Sequence, residues 1–86
     1  MNHCTVTWWP DARDELARLW VEGPSRQQIA EAADEIDRVL AVDPEASAEP
    51  GPEGLWRLTL RPLTVQFALE EPDRKVIVVT VRLQAD

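Results

Sequence analysis

The sequence predicts an α+β domain in which a helical hairpin packs on one face of a mainly antiparallel four-stranded sheet, in the order β-α-α-β-β-β. Three observations lead there. Apolar residues recur with a period of two near the start and through the last third of the chain. Between these regions they recur with the helical period of 3.6, and each change of period falls at proline or glycine. The chain has 86 residues, enough for a single domain spanning 1–86 and no more. A chain of this size buries only about 60–65% of its unfolded surface, so the core is thin.

Each element follows from its residues. Cys4 to Trp9 reads as a strand, with Cys4, Val6 and Trp8 alternating with Thr5, Thr7 and Trp9. Pro10 suits a first helical turn, and Asp11 and Asp14 sit near the positive end of that helix. Ala12, Leu16, Leu19 and Trp20 then share one stripe about 100° wide, while Arg13, Asp14, Arg18 and Glu22 take the other side. Gly23-Pro24 ends the helix. Ser25 followed by Gln28 has the form of a capping box. Ile29, Ala33, Ile36 and Leu40 make the inner stripe of a second helix, which closes at Asp43-Pro44 because a residue before proline avoids the helical region. Residues 43–54 hold three prolines, two glycines and four acids, the composition of an exposed, mobile loop.

The last third is strand-rich. Trp56, Leu58 and Leu60 alternate with Arg57, Thr59 and Arg61, and Pro62 interrupts. Leu63, Val65, Phe67 and Leu69 alternate with Thr64, Gln66, Ala68 and Glu70. After a turn at 71–74, Lys75 to Leu83 is the most apolar run. Its inward face is ambiguous, because Val76 and Val78 alternate with Ile77, Val79 and Val81.

Composition narrows the function classes. A single Cys and a single His argue against a disulfide and against a zinc site, and Cys4 reads as a buried thiol. No Gly-rich phosphate loop or nucleophile elbow is present, so neither cofactor nor metal is expected. No apolar run approaches about 18 residues, and the first residues lack a signal pattern, which gives the expectation of a cytoplasmic protein without membrane contact. The net charge of −7 divides unevenly: residues 1–54 carry twelve acids and four bases, residues 55–86 four acids and five bases. Overall acidity argues against general nucleic-acid binding but leaves room for a small basic patch in the second half.

These segments together resemble the RelE/ParE toxin superfamily of type II toxin–antitoxin systems, to which plasmid stabilisation proteins also belong. The resemblance rests on TVTWWPDARDELARLW, a second helix ending at Asp-Pro, an acidic Gly/Pro loop, GLWRLTL, PLTVQFAL, an acidic turn and a Val-rich closing strand. It covers nearly the whole chain. It implies a RelE/ParE-like two-layer domain and a toxin that binds a macromolecular target, either DNA gyrase or the ribosome with its mRNA. It also implies a cognate antitoxin that covers the working surface. Two alternatives stand beside it: a RelE-like ribosome-dependent mRNA endonuclease, and a non-toxic binding or assembly module.

The candidate residues are arginines. If Leu58, Leu60, Leu63, Val65, Phe67 and Leu69 face the helices, then Arg57, Arg61, Thr59 and Gln66 project from the opposite face. Arg82 joins them if Ile77, Val79, Val81 and Leu83 face the helices. Three guanidinium groups on one face suit bidentate contact with phosphate. Arg57, Arg61, Arg82 and Gln66 are therefore the expected binding residues, and the three arginines the weak catalytic candidates. By the resemblance, Arg57 matches an arginine of the family's second strand, and Arg82 lies near one on its last. The competing reading is a solvated sheet face whose arginines pair with Glu70, Glu71 or a partner's carboxylates.

Cleavage of RNA by its 2′-hydroxyl needs a proton acceptor, which RelE-like enzymes commonly supply from Tyr, His, Lys or Glu. This chain has no Tyr, its one His is His3, its one Lys is Lys75, and it ends at Asp86. Glu70 is the remaining candidate base, with nothing in the sequence to single it out. The tryptophans complete the inventory. A core role is expected for Trp20 and Trp56 and for one of Trp8 and Trp9; an outward Trp9 or Trp56 would serve as an interaction hot spot.

Overall fold

The alternation Thr5-Val6-Thr7-Trp8 forms β1 (Thr5–Trp8), and Pro10 opens α1 (Pro10–Glu22). The computed structural model describes residues 3–23 and 25–84. Pro24, half of the expected helix break, and Asp86 lie outside them. α1 closes where the Gly23 N–H donates to the Leu19 carbonyl at 2.7 Å. A Cβ on Gly23 would lie 2.3 Å from that same carbonyl oxygen, so glycine is required here by close approach. α2 (Arg26–Val42) begins at Ser25, whose hydroxyl accepts from the Gln28 backbone N–H at 3.3 Å. That bond satisfies one of the orphan donors of the first turn.

The second half builds β3 (Trp56–Leu60), β4 (Leu63–Glu70) and β5 (Lys75–Leu83), joined by short turns. A two-residue strand, β2 (Glu49–Pro50), precedes them and lies antiparallel on β3. The sheet is thus five-stranded in the order β1-β5-β4-β3-β2, and all pairs are antiparallel except β1 with β5. The expected class holds, with one strand more than the sequence suggests. The extra strand comes from the acidic loop, which is largely exposed but not structureless. Pro44 is buried, Ala48 packs against the core, and the Gly51 N–H donates to the Leu55 carbonyl at 2.7 Å. Glu53 and Gly54 take positive φ there.

Both helices cover one face of the sheet, α1 over β5 and α2 over β1, β3 and β4. Between the layers lie Ile29, Ile36, Leu40, Leu58, Leu63, Val65, Phe67, Val76 and Val78, all essentially fully buried. The inner stripe of α2 is Ile29, Ala32, Ile36 and Leu40, with Ala33 only partly covered. At each side chain's full burial, roughly 1.5–3 kcal/mol per large apolar residue favours this arrangement.

The closing strand settles its own ambiguity with a bulge. Gln66 opposes Thr80 and Phe67 opposes Val78, so Val79 has no partner of its own on β4. The extra residue changes the phase of the alternation. Val76 and Val78 face the helices before it, and Val81 faces them after it. Neither strict alternation describes the strand; each holds on one side of Val79.

Candidate functional site

The sheet face away from the helices is where the polar residues of β3, β4 and β5 collect. Register places Arg57 opposite Gln66 and Thr59 opposite Thr64. On the other side of β4, Gln66 opposes Thr80 and Thr64 opposes Arg82. Because the bulge resets the phase, Arg82 shares this face with Arg57. The two arginines lie two strands and two residues apart, so their Cα atoms are roughly 12 Å from each other. Both line one depression of about 210 Å³, together with Thr64, Gln66, Thr80 and Gln84.

Hydrogen bonding gives this depression a single polarity. The Thr80 hydroxyl donates to Gln66 Oε1 at 3.1 Å, and the Thr64 hydroxyl donates to Gln84 Oε1 at 2.5 Å. Since a hydroxyl carries one proton, Thr64 must accept, not donate, in its 3.2 Å contact with the Thr59 hydroxyl. Each glutamine has its carbonyl oxygen occupied by a threonine, which leaves its NH₂ group facing outward. Among the described residues neither NH₂ has a protein acceptor. Two amide groups and two guanidinium groups therefore line one depression, with both amide oxygens already engaged by threonine hydroxyls. Such a lining receives anions.

Arg57 is not idle there. Its Nη2 donates to Glu49 Oε2 at 2.8 Å. Glu49 stands directly opposite Arg57 in the β2–β3 ladder and lines a second depression, of about 390 Å³, which also contains Arg57, Thr59, Thr64 and Gln84. Arg82 has no ion pair among the described residues.

Arg61 departs from its expected place. β3 ends at Leu60, so Arg61 belongs to the turn and period-two alternation no longer governs it. It lines a different cavity, of about 490 Å³, at the seam with α2, where Gln28, Glu31 and Glu35 are its neighbours. Glu70, the candidate base, is on β4 opposite Lys75. It lies four positions along β4 from Gln66, roughly 14 Å away.

The tryptophans divide evenly. Trp8 and Trp56 pack against the core, and the Trp8 indole N–H donates to Asp37 Oδ1 at 2.8 Å. Trp9 is 51% exposed, and Trp20, against expectation, is 42% exposed. Trp20 lies at the outer margin of its stripe, where the Arg26 guanidinium covers its ring at 4.9 Å from the centroid. With Leu16, Ala17, Ala30 and Ala33 it borders a shallow apolar groove between the helices.

Sequence reasoning found Arg57, Arg82, Gln66 and Thr59, but not Glu49, Thr64, Thr80 or Gln84. Alternation outward from Arg82 reaches both Thr80 and Gln84, so that signal was present. Nothing in an acidic loop indicates which of its carboxylates returns to the sheet.

This architecture, a helical hairpin on a mainly antiparallel sheet whose first strand runs parallel to its last, defines a small two-layer α+β class. No protein-family model and no curated protein matches the sequence. Solved structures do match. The RelBE2 toxin–antitoxin complex of Mycobacterium tuberculosis contains a chain that superposes with a TM-score of 0.84 at 18% identity, covering 100% of this chain and 97% of that one. A chain of the chromosomal ParDE system of P. aeruginosa matches with a TM-score of 0.72 at 14% identity, over 99% and 100% of the two chains. A mutant of the E. coli toxin RelE in its free state matches with a TM-score of 0.68 at 16% identity, over 98% and 85%. The fold of this chain is that of the RelE/ParE toxins.

Proposed function

We propose that this chain is the toxin of a type II toxin–antitoxin pair, acting by binding a macromolecular target through its open sheet face and silenced by a cognate antitoxin. The observation that carries the reading is the donor-lined depression between Arg57 and Arg82. The fold supports it, since its neighbours include toxin–antitoxin complexes. A lining of guanidinium and amide donors suits phosphodiester oxygens, such as those on the ribosome and its mRNA, better than an apolar protein surface. No helix among the described residues is long and apolar enough to cross a membrane, in keeping with a target in the cytoplasm.

Binding is favoured over cleavage. A general base must come within hydrogen-bond reach of the proton it removes. Glu70 stands roughly 14 Å along β4 from Gln66, the Glu49 carboxylate is engaged by the Arg57 guanidinium at 2.8 Å, and the other side chains lining the depression with Arg57 and Arg82 are threonines and glutamines, which are poor bases.

The test is growth of a bacterial host on induction of this chain alone. Wild type should arrest growth, and the folded Arg57→Ala/Arg82→Ala variant should not. Arg61→Ala, outside the face, should arrest growth like wild type. Arrest by the double variant at equal soluble level would move the working surface elsewhere. Absence of arrest by folded wild type would leave a binding module with a toxin's fold.

A further inference from the structure

The acidic loop returns to the sheet at β2, where it meets one of the two cations of the candidate site. β2 is only two residues long, yet its register puts Glu49 directly opposite Arg57. Directly opposed side chains on a sheet face lie close enough to interact without rearrangement, and the carboxylate meets the guanidinium at 2.8 Å. Arg57, Thr64 and Gln84 line both depressions of the open face, one of which also holds Glu49 and the other Arg82. The carboxylate thus engages one of the donors that line the neighbouring depression.

We propose that Glu49 is an internal competitor for the anion bound at the open face, holding Arg57 until a phosphodiester group displaces it. The inference rests on the reading of the open face as a phosphate-binding surface. Its physical basis is that the pair is weak enough to exchange. The side chains are 48% and 71% exposed, and exposed ion pairs contribute little because water and salt screen them. A phosphate presented to Arg57, Arg82 and the two amide groups together outcompetes a single carboxylate on a two-residue edge strand. Glu49 sets a threshold: isolated anions fail to displace it, and a backbone that engages both arginines succeeds. Phosphate contact at Arg57 in the wild type also releases Glu49 to gather its own counterion, which offsets part of the counterion release that drives binding.

Fluorescence anisotropy of a labelled oligouridine, titrated with the intact chain at two salt concentrations, measures the effect directly. Glu49→Gln should tighten binding about two- to fivefold, the range that corresponds to an exposed ion pair. It should also steepen the dependence of log K on log salt by up to about 0.7, the increment for one added phosphate contact on a single strand. Glu49→Ser should act alike, and thermal unfolding of each variant separates binding from folding. In an Arg57→Ala background the gain should vanish. A gain of equal size in that background would reduce Glu49 to a contributor of net charge and overturn the proposal. No gain on Glu49→Gln, with Arg57→Ala and Arg82→Ala both weakening binding, would overturn it while leaving the open face intact. No change in any of these variants would instead remove the open-face reading itself.

Discussion

Deleting Val79 should leave the fold and the open face in place, although it shortens the most apolar strand of the sheet. Val79 is the residue without a partner on β4. Without it, Val76, Val78, Val81 and Leu83 fall in strict alternation facing the helices, and Ile77, Thr80 and Arg82 fall on the open face. The deletion removes one half-buried valine, a loss of about 1 kcal/mol. A regular ladder in place of the bulge returns a comparable amount, about 1 kcal/mol per hydrogen bond regained. The net change should stay within roughly 1 kcal/mol, small beside the 5–15 kcal/mol typical of a domain's stability. Deleting Val65 provides the contrast. β4 is the regular strand, so a lost residue there turns either Leu63 or the pair Phe67 and Leu69 outward, along with the loss of Val65 itself. At about 1.5–3 kcal/mol for each large apolar side chain, that costs roughly 3–9 kcal/mol, enough to unfold much of the population. Urea denaturation followed by tryptophan fluorescence distinguishes the two. If the Val79 deletion shifts the midpoint as far as the Val65 deletion, the bulge is not a phase correction and the account of β5 is wrong.

Two further outcomes test packing and local bonding. Gly23→Ala places a methyl against the Leu19 carbonyl and Ile29 Cδ1, an overpacked contact that should cost about 1–3 kcal/mol; equal unfolding midpoints would show that the helix joint has slack. Trp8→Phe and Asp37→Asn each weaken the indole–carboxylate bond. In a double-mutant cycle they should couple by about 1 kcal/mol, and additive behaviour would mean that the bond contributes nothing in solution.

Much of this architecture was legible because periodicity and punctuation agree in most of the chain. Phe67 and its neighbours on β4 alternate without a fault, and both helices start and stop at residues suited to those positions. Legibility failed where a local rule met a tertiary event. The run from Lys75 to Leu83 holds one residue too many for a period of two, and no rule based on neighbouring residues says where the surplus is absorbed. Arg61 follows the alternation of β3 on paper, but the strand stops one residue earlier. Trp20 shares a stripe with Leu19 yet lies at its outer margin, where Arg26 rather than the core covers its ring. Glu49 is one acid among four in its loop; its selection depends on a backbone pairing that only the folded chain establishes. At the candidate site, then, the cations could be found from sequence, whereas the groups that orient and neutralise them could not.

The parallel pairing of β1 with β5 has a consequence for how the molecule comes into being. Thr5 finds its sheet partner at Lys75, about seventy residues later. A ribosome adding about 5–20 residues per second needs several seconds to cover that distance. During this interval α1 and α2 can form, but their inner stripes have no finished sheet to cover them. Closing so long a loop also defers its entropic cost to the end of assembly. Arg82 arrives on that same late strand, so the open face exists only after translation has passed it. A nascent chain therefore lacks its open sheet face while its apolar helices are most in need of protection, and a binding partner or chaperone that meets it then meets the hairpin first.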